Sequence, residues 1–379
     1  MRKKMNNVQS CLSCYGCGLC VIQCPHKLIK LHLNKEGFYA PIIKDTDTCT
    51  NCGACISVCS YANDGLAVKN EPKSCYAAWS KDVDIRNKCS SGGVGFEVAR
   101  TSINQGYKVL GVKYDTHADR AVHYVAETAE GAKATIGSKY IQSYTIDGLK
   151  SINRKEKYLV TGTPCQIDSF RRYIRKFHCE DNFLLMDFFC HGVPSMHLWK
   201  KYIKEAKGTI GQIIDVSWRN KTYGWHDSWE MILHGEKNDI SSRWTHGNLF
   251  YKMFLGNSCL GKACYKKCKF KGASSSADIR IGDLWGKTYE KDEKGVSCVI
   301  AFTERGQCFL NKTNCNLIEH PFEIVTEGQL NKHIKEPWTR GLICSLLTTR
   351  LPLVLIFRVF QLLNLPYILK CKLEKVKKA

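Results

Sequence analysis

The stretch CYGCGLCVIQCP, Cys14 to Pro25, carries four cysteines at the spacing C-x2-C-x2-C-x3-C. About 35 residues later CTNCGACISVCS, Cys49 to Ser60, repeats that spacing, with Ser60 where the first copy has Pro25. Three thiolates two residues apart on a tight loop can cap three corners of one metal–sulfur cubane. The fourth, at the start of the following turn, points away to a second one. That wiring assigns Cys14, Cys17, Cys20 and Cys59 to one centre, and Cys49, Cys52, Cys55 and Cys24 to the other. Gly16, Gly18 and Gly53 suit loops whose backbone wraps closely around inorganic sulfide. Zinc sites use one or two C-x2-C pairs per metal, not a triplet with a distant fourth cysteine, repeated twice. Cys11, three positions before Cys14, reads as a spare thiol.

The reading is two 4Fe-4S clusters in a bacterial-type two-cluster ferredoxin domain over residues 1–72. Such a pair relays single electrons and has no substrate of its own, so the rest of the chain must hold any further chemistry. The whole sequence has 379 residues, 44% apolar and 24% charged, enough to bury a core. Nine of its 22 cysteines fall in the first 59 residues. The start MRKKMNNVQS is basic but meets cysteines before any apolar stretch, which is not the pattern of a secretory signal. The expected compartment is therefore the reducing cytoplasm, where clustered cysteines serve metals or catalysis more often than disulfides.

Composition changes after Asn70-Glu-Pro-Lys73, and a boundary is placed near residue 72. Beyond it, Ser90-Ser91-Gly92-Gly93 opens a helical pattern in which Val94, Val98 and Ala99 share a face. A Gly-rich turn into a helix suits a phosphate or carboxylate, although it is also the composition of an ordinary cap. Residues 107–114, 121–126, 158–161 and 183–189 read as strands, while 168–175 and 197–206 read as helices. This alternation argues for an α/β or α+β body. Gly162-Thr-Pro-Cys165 and Cys190-His191 fall just past strand ends, where open α/β sheets place ligands. By spacing alone, Cys165, Cys190, Cys264 and Cys268 are separate thiols that would pack in a core. Asp283, after Gly282, ends a strand.

In order, the motifs are CSSGG from Cys89, GSKYIQS from Gly137, GTPCQ from Gly162, CHGVPS from Cys190 and ADIRIGDLWG from Ala277. With them the chain, over roughly residues 10–335, resembles the beta-subunit family of coenzyme F420 hydrogenases and dehydrogenases. It is most similar to the bacterial branch with an N-terminal two-cluster ferredoxin domain, which is often associated with polysaccharide biosynthesis. The resemblance implies an α+β protein: the ferredoxin domain, then a mixed α/β flavin-binding body in an N-terminal part (73–150) and a C-terminal part (151–335). It implies FAD, hydride exchange with coenzyme F420 or another carrier, and a further 4Fe-4S centre on Cys165, Cys190, Cys264 and Cys268. Cys264 and Cys268 are separated by three residues where the family pattern has two, and Cys259 competes for a place. On this reading Ser90, Ser91, Gly92 and Gly93 approach the flavin. Lys139 and Tyr140 meet an anionic group or ring edge, or are a solvated lysine beside a packed tyrosine. Asp283 bonds a ribityl or ribose hydroxyl, or caps its turn. No acid–base pair stands out as catalytic. The alternative is therefore an electron-transfer subunit that wires a separate redox enzyme.

Lys plus Arg exceed Asp plus Glu by 21. Each 4Fe-4S centre with four thiolates carries about two negative charges, so two or three centres leave a total of about +17 or +15. Such a surface suits an anionic small-molecule substrate, a ferredoxin-like or other redox protein, or a membrane. No nucleic-acid-binding module accompanies the charge. The tail, 336–379, is apolar over 341–369 but interrupted by Arg350, Pro352, Arg358 and Pro366, and it ends in KCKLEKVKK before the final alanine. It fits a helix lying on a membrane surface or against a partner, or a helical cap on the body.

Overall fold

The computed structural model describes residues 6–11, 13–329 and 333–376. The first five residues of the basic start and the last three of the basic end lie outside this range. Each cysteine triplet runs into a short helix, Leu19–Gln23 or Ala54–Ser57. Gly18 and Gly53, each directly after the second cysteine of its triplet, hold φ of +78° and +76° at the two helix starts. A side chain at either position would be strained in this left-handed region. An antiparallel hairpin, β1 (Ile29–Leu33) and β2 (Tyr39–Ile43), separates the two turns.

The body opens with β3 (Ser74–Ser80), β4 (Lys108–Asp115), β5 (Arg120–Ala126), β6 (Tyr158–Thr161) and β7 (Phe183–Phe188). A separate antiparallel sheet follows, of β8 (Ile213–Ser217), β9 (Glu230–Gly235) and β10 (Asp239–Arg243). The chain then returns with β11 (Ile279–Asp283), β12 (Ser297–Ala301) and β13 (Cys315–Glu319). The large sheet has the order β13-β3-β12-β11-β7-β6-β4-β5. Strands from 73–150 and from 151–335 thus share one sheet. β4, β6, β7 and β11 are mutually parallel, and β3 has the same direction through two antiparallel steps across β12. The carboxyl ends of β3, β11, β7 and β6 therefore open on one edge.

Strand periodicity sets the two faces of this sheet. Tyr158, Val160, Phe183 and Leu185 pack on Ile167, Phe170 and Ile174 of the helix Pro164–Lys176. Leu159, Leu184 and Met186 pack on the other side with Val94, Val98 and Ala99 of the helix Val94–Asn104, and with Phe309 and Leu310. Burial on both faces explains why these strands read as unbroken apolar runs. Leu19 and Val58 of the ferredoxin-type domain join the cluster around Phe170, which docks that domain on the body. The helix expected over 168–175 begins at Pro164, where proline suits the first turn and Gln166 Oε1 accepts from Thr163 N–H at 2.9 Å. That earlier start puts Cys165 in the first helical turn.

A third core gathers Trp199, Trp218, Phe250 and Phe254 between the small sheet and the helices Met196–Ile210 and Leu249–Leu255. The tail forms two helices, Arg340–Leu346 and Leu353–Val376. Ile343, Leu347, Leu353, Ile356 and Phe360 insert into this same core. The inner side of the tail is therefore a cap. Among the described residues no helix is long and apolar enough to cross a membrane.

Candidate metal centres

Two cavities lie in the N-terminal domain. One is lined by Cys14, Cys17, Cys20 and Cys59, and also by Cys11. The other is lined by Cys49, Cys52, Cys55 and Cys24. The structure thus groups the eight cysteines four and four, each triplet with the distant cysteine of the other run. Burial pushes the thiols of Cys14 and Cys17 up to about 12 and about 11. Cys59 moves the other way, held down chiefly by the neighbouring Cys11 thiol. Asn7 Nδ2 lies 3.7 Å from Cys49 Sγ in the second group.

A third group of thiols forms on the body. Cys165 follows β6, Cys190 follows β7, and Cys264 lies in the helix Lys262–Lys266 with Cys268 just beyond it. Three of these thiols lie within electrostatic reach of others in the group: Cys190 and Cys264 act on Cys165, Cys264 and Cys268 act on Cys190, and Cys268 acts on Cys264. All four keep some solvent-accessible surface, as residues opening on a common space do. The surrounding protein is nevertheless dense enough that desolvation pushes Cys190 up to about 12 and Cys264 up to about 11. Thiols raised in this way stay protonated unless a cationic group offsets their charge, and the core of a 4Fe-4S cubane is one group of that kind. Among the described residues no three His, Cys, Asp or Glu side chains converge tightly enough to hold a single ion. Corner ligands of a cubane, held apart by its body, would not converge in that way. Cys259 sits elsewhere, fully buried in the aromatic core, with Arg340 as its charged neighbour and Cys344 close by.

A buried polar network holds this third group in place. Arg280 in β11 and Asp187 in β7 are both fully buried and paired through two bonds, of 2.7 and 2.8 Å. Arg280 also donates to the carbonyls of Gly272 and Ser274, and Ser275 donates to Asp187 at 2.7 Å. The loop after Cys268 is thereby fixed to the strand that ends at Cys190. From the same loop Lys271 donates to the Cys190 carbonyl at 2.8 Å, and Lys269 donates to the carbonyls of Ser60, Asn63 and Gly65. The third group thus adjoins the first. Cys17 is among the charges felt by Cys165, and Cys17 Sγ lies 3.3 Å from Ser169 Oγ in the helix Cys165 begins.

The predicted flavin residues lie in one hydrogen-bonded neighbourhood at the carboxyl edge. Ser90 Oγ accepts from the Ser138 amide at 3.0 Å, next to Lys139. Ser91 donates to the Val296 carbonyl, and Gly92 lies so close to Ala78 and Ser297 that a Cβ would collide with their backbone. Gly93, at φ +88°, starts the helix Val94–Asn104. Lys139 spends two donors on the carbonyls of Ala134 and Ile136. Tyr140 packs among Trp218, Trp229 and Tyr251, and its hydroxyl accepts from Arg219 at 3.2 Å. Asp283 pairs with Arg219 at 3.1 Å and accepts from Trp225 at 3.3 Å. Arg219 itself lies between the rings of Trp229 and Trp285. Lys221 donates to the carbonyls of Arg86, Ser91 and Lys294. Burial lowers both Lys139 and Lys221 to about 8. Lys221 thus spends all three of its donors on carbonyls, whereas Lys139 keeps one, beside the helix start, for an anionic group such as a pyrophosphate.

Comparison with known proteins matches residues 13–63 to the family described as "4Fe-4S dicluster domain". Residues 155–320 match the family described as the C-terminal part of the coenzyme F420 hydrogenase/dehydrogenase beta subunit. Over those residues the body is similar to the coenzyme F420 hydrogenase/dehydrogenase beta-subunit family. The chain is 25% identical over 273 residues to "Coenzyme F420 hydrogenase subunit beta" of Methanococcus voltae, covering 69% of this chain and 92% of that one. It is also similar to a chain in the structure of the F420-reducing [NiFe] hydrogenase complex from Methanosarcina barkeri. There the identity is 19% and the TM-score 0.45, over 75% of this chain and 90% of that one. The beta-subunit match spans Cys165, Cys190, Cys264, Cys268, Arg280 and Asp283, whereas Ser90–Gly93, Lys139 and Tyr140 precede it.

Sequence reading missed Arg219 and Lys221, whose loop after β8 carries no recognised spacing. The tryptophans at 218, 225, 229 and 285 were the available signal, because large aromatics around a lone arginine mark a packed cation.

Proposed function

We propose that this beta-subunit relative is an iron–sulfur flavoprotein oxidoreductase. On this reading electrons pass between the centre on Cys49, Cys52, Cys55 and Cys24 and the centre on Cys14, Cys17, Cys20 and Cys59. They continue to a third 4Fe-4S centre on Cys165, Cys190, Cys264 and Cys268. What supports the reading is the mutual electrostatic influence of Cys165, Cys190, Cys264 and Cys268, which come from separate loops, together with the 3.3 Å contact between Cys17 Sγ and Ser169 Oγ in the helix that carries Cys165. A through-going order, rather than two isolated clusters, is what a relay toward the sheet edge requires.

FAD is the cofactor this edge would take. Lys139 and the Ser90–Gly93 turn would hold its phosphates, and Tyr140 would border the ring. Asp283 is committed to Arg219 and Trp225, which supports a positioning role for it within the cation–aromatic group. A bound flavin supplies the interconversion of two-electron hydride chemistry and single-electron transfer. Coenzyme F420, or another organic hydride carrier of anionic character, is the proposed substrate. A ferredoxin-like or other redox protein is the proposed partner at the N-terminal domain, consistent with a relative named as a hydrogenase subunit. The outward face of the tail, with Leu342, Val354, Leu355, Leu362 and Leu365 exposed beside Arg358, is proposed to contact an anionic membrane surface.

Anaerobic iron, sulfide and flavin analysis of one purified sample tests the core of this reading. About twelve irons and one flavin per chain are expected. About eight irons with no flavin would leave a two-cluster wire serving a separate enzyme.

A further inference from the structure

The second cysteine run departs from the first in the residue after its last cysteine, where Ser60 stands in place of Pro25. A proline has no N–H, whereas Ser60 has one and uses it. The Ser60 amide donates to Ser169 Oγ at 3.1 Å, and the same oxygen lies 3.3 Å from Cys17 Sγ. Ser60 follows Cys59, so one hydroxyl touches the chain at two of the four thiols around the first cavity. Solvent reaches neither serine: Ser60 is 1% exposed and Ser169 0%. The body holds both ends of this contact. Ser169 belongs to the helix Pro164–Lys176, where the adjacent Asp168 accepts from the Ala67 amide and from Ser276 Oγ, each at 2.6 Å. Lys269 donates to the Ser60 carbonyl at 2.9 Å, so the peptides on either side of Ser60 are both fixed. A hydroxyl has one proton and two lone pairs, and the Ser60 amide takes one lone pair. While Cys17 is a thiol, its S–H fills the other. Once Cys17 is a thiolate on iron, the proton left between the two atoms is that of the serine. Among the described residues Ser169 Oγ makes no other hydrogen bond.

We propose that Ser169, aimed by the Ser60 amide, donates its hydroxyl proton to the Cys17 thiolate and raises the potential of the first centre. This rests on the reading of Cys14, Cys17, Cys20 and Cys59 as the ligands of a 4Fe-4S cluster. A hydrogen bond to a ligand sulfur favours the more negative, reduced form of the cluster, which is why it raises the potential. The donor comes from the body and the acceptor from the ferredoxin-type domain, so the bond exists only while the two are docked. Docking therefore draws the electron to the centre that adjoins the body. The second centre has no counterpart to this relay. Pro25 offers no amide there, and Asn7, with its Nδ2 3.7 Å from Cys49 Sγ, belongs to the same small domain.

The test is a redox titration followed by EPR, with iron analysis, on the full chain purified anaerobically. Ser169→Ala is expected to keep the wild-type iron content and to move the midpoint of one 4Fe-4S centre to a more negative value, with the others in place. Ser169→Thr keeps the hydroxyl and is expected to titrate like the wild type. Unmoved midpoints in Ser169→Ala would overturn the proposal. Equal shifts or equal iron loss in the Ala and Thr variants would also overturn it, by tracing the effect to packing. Ser60→Pro installs the residue of the first run, removes the amide that aims the hydroxyl, and is expected to shift the same centre in the same direction. An unmoved midpoint there would overturn the aiming by Ser60, and this arm stands even if Ser169→Ala does not fold. A wild-type chain without 4Fe-4S signals would instead overturn the cluster reading beneath the proposal, and it shows before any variant is made.

Discussion

Tyr15 sits between the first two triplet cysteines in sequence and between two thiol groups in space. It lines the cavity of the first centre, its hydroxyl donates to the Lys267 carbonyl, and its ring meets Tyr61 at 5.6 Å and Phe270 at 6.0 Å. After burial itself, the charges of Cys165, Cys268 and Cys264 raise its pKa most. The ring thus fills the space that electrons would cross. Tyr15→Phe removes one hydrogen bond and should cost about 1 kcal/mol, with transfer between the centres nearly unchanged. Tyr15→Ala should cost about 3–5 kcal/mol and slow reduction of the third centre in stopped-flow. Equal transfer rates in the two variants would show the ring is not part of the path. His123 gives a prediction of a different kind. It is buried in β5, its Nε2 lies 3.3 Å from the Thr161 carbonyl, and its Nδ1 has no partner among the described residues. Burial lowers its pKa to about 4, against about 6.5 in an unfolded chain. The unfolded state therefore binds a proton between pH 6.5 and 4 that the folded state refuses. The contribution is complete above pH 6.5 and falls as the pH drops, by about 2 kcal/mol at pH 5. Urea titrations at pH 7 and pH 5 should show His123→Gln losing less stability on acidification than the wild type.

At the scale of elements, the loop after Cys268 decides whether the third group exists. The Arg280–Asp187 pair is fully buried and braces that loop against β7, so removing one partner leaves an uncompensated charge. Arg280→Met should cost about 3–5 kcal/mol and release the iron of the third centre before that of the other two. Iron analysis during mild urea titration would show a first step of about four irons, absent from the wild type. This element also marks where sequence legibility stops. The eight N-terminal cysteines were readable because their loops are local and their cross-pairing follows from spacing. β6 and β7 were readable because strands buried on both faces leave unbroken apolar runs. Cys165, Cys190, Cys264 and Cys268 become neighbours only because β11 inserts beside β7 after an excursion of about 90 residues. No spacing rule encodes that return, and those four residues were reached through family resemblance. Arg219 and Lys221 escaped for the same reason: their partners, Asp283, Tyr140 and Ser91, come from other elements.

The whole molecule is tied together at Glu36, in the turn between β1 and β2. Its carboxylate meets Lys262 at 2.9 Å and Arg340 at 2.9 Å, joining the ferredoxin-type domain, the helix that carries Cys264 and the first tail helix. Although burial opposes it, these two cations hold the carboxyl down to about 2. The tail is therefore anchored on its inner side by both a salt-bridge network and the aromatic core. Its outer side remains apolar, with Leu362 at 70% and Leu365 at 48% exposure, while the sequence beyond contributes Lys370, Lys372 and Lys375. An anchored helix with an apolar outer stripe and a lysine-rich continuation has the composition of a segment lying in a lipid interface. Each basic residue near an anionic surface adds about 1 kcal/mol, and that attraction weakens over a Debye length as salt rises. The holoprotein should co-sediment with phosphatidylglycerol vesicles more than with phosphatidylcholine vesicles, and less as salt is raised. Leu355→Glu/Leu362→Glu should abolish sedimentation while leaving the iron content unchanged, because both side chains point away from the core that Ile356 and Phe360 enter. Vesicle binding unaltered by the double variant would place the contact elsewhere on the basic surface. No binding to either vesicle would assign the stripe to a protein partner, and the same variant would then be tested against the redox partner instead.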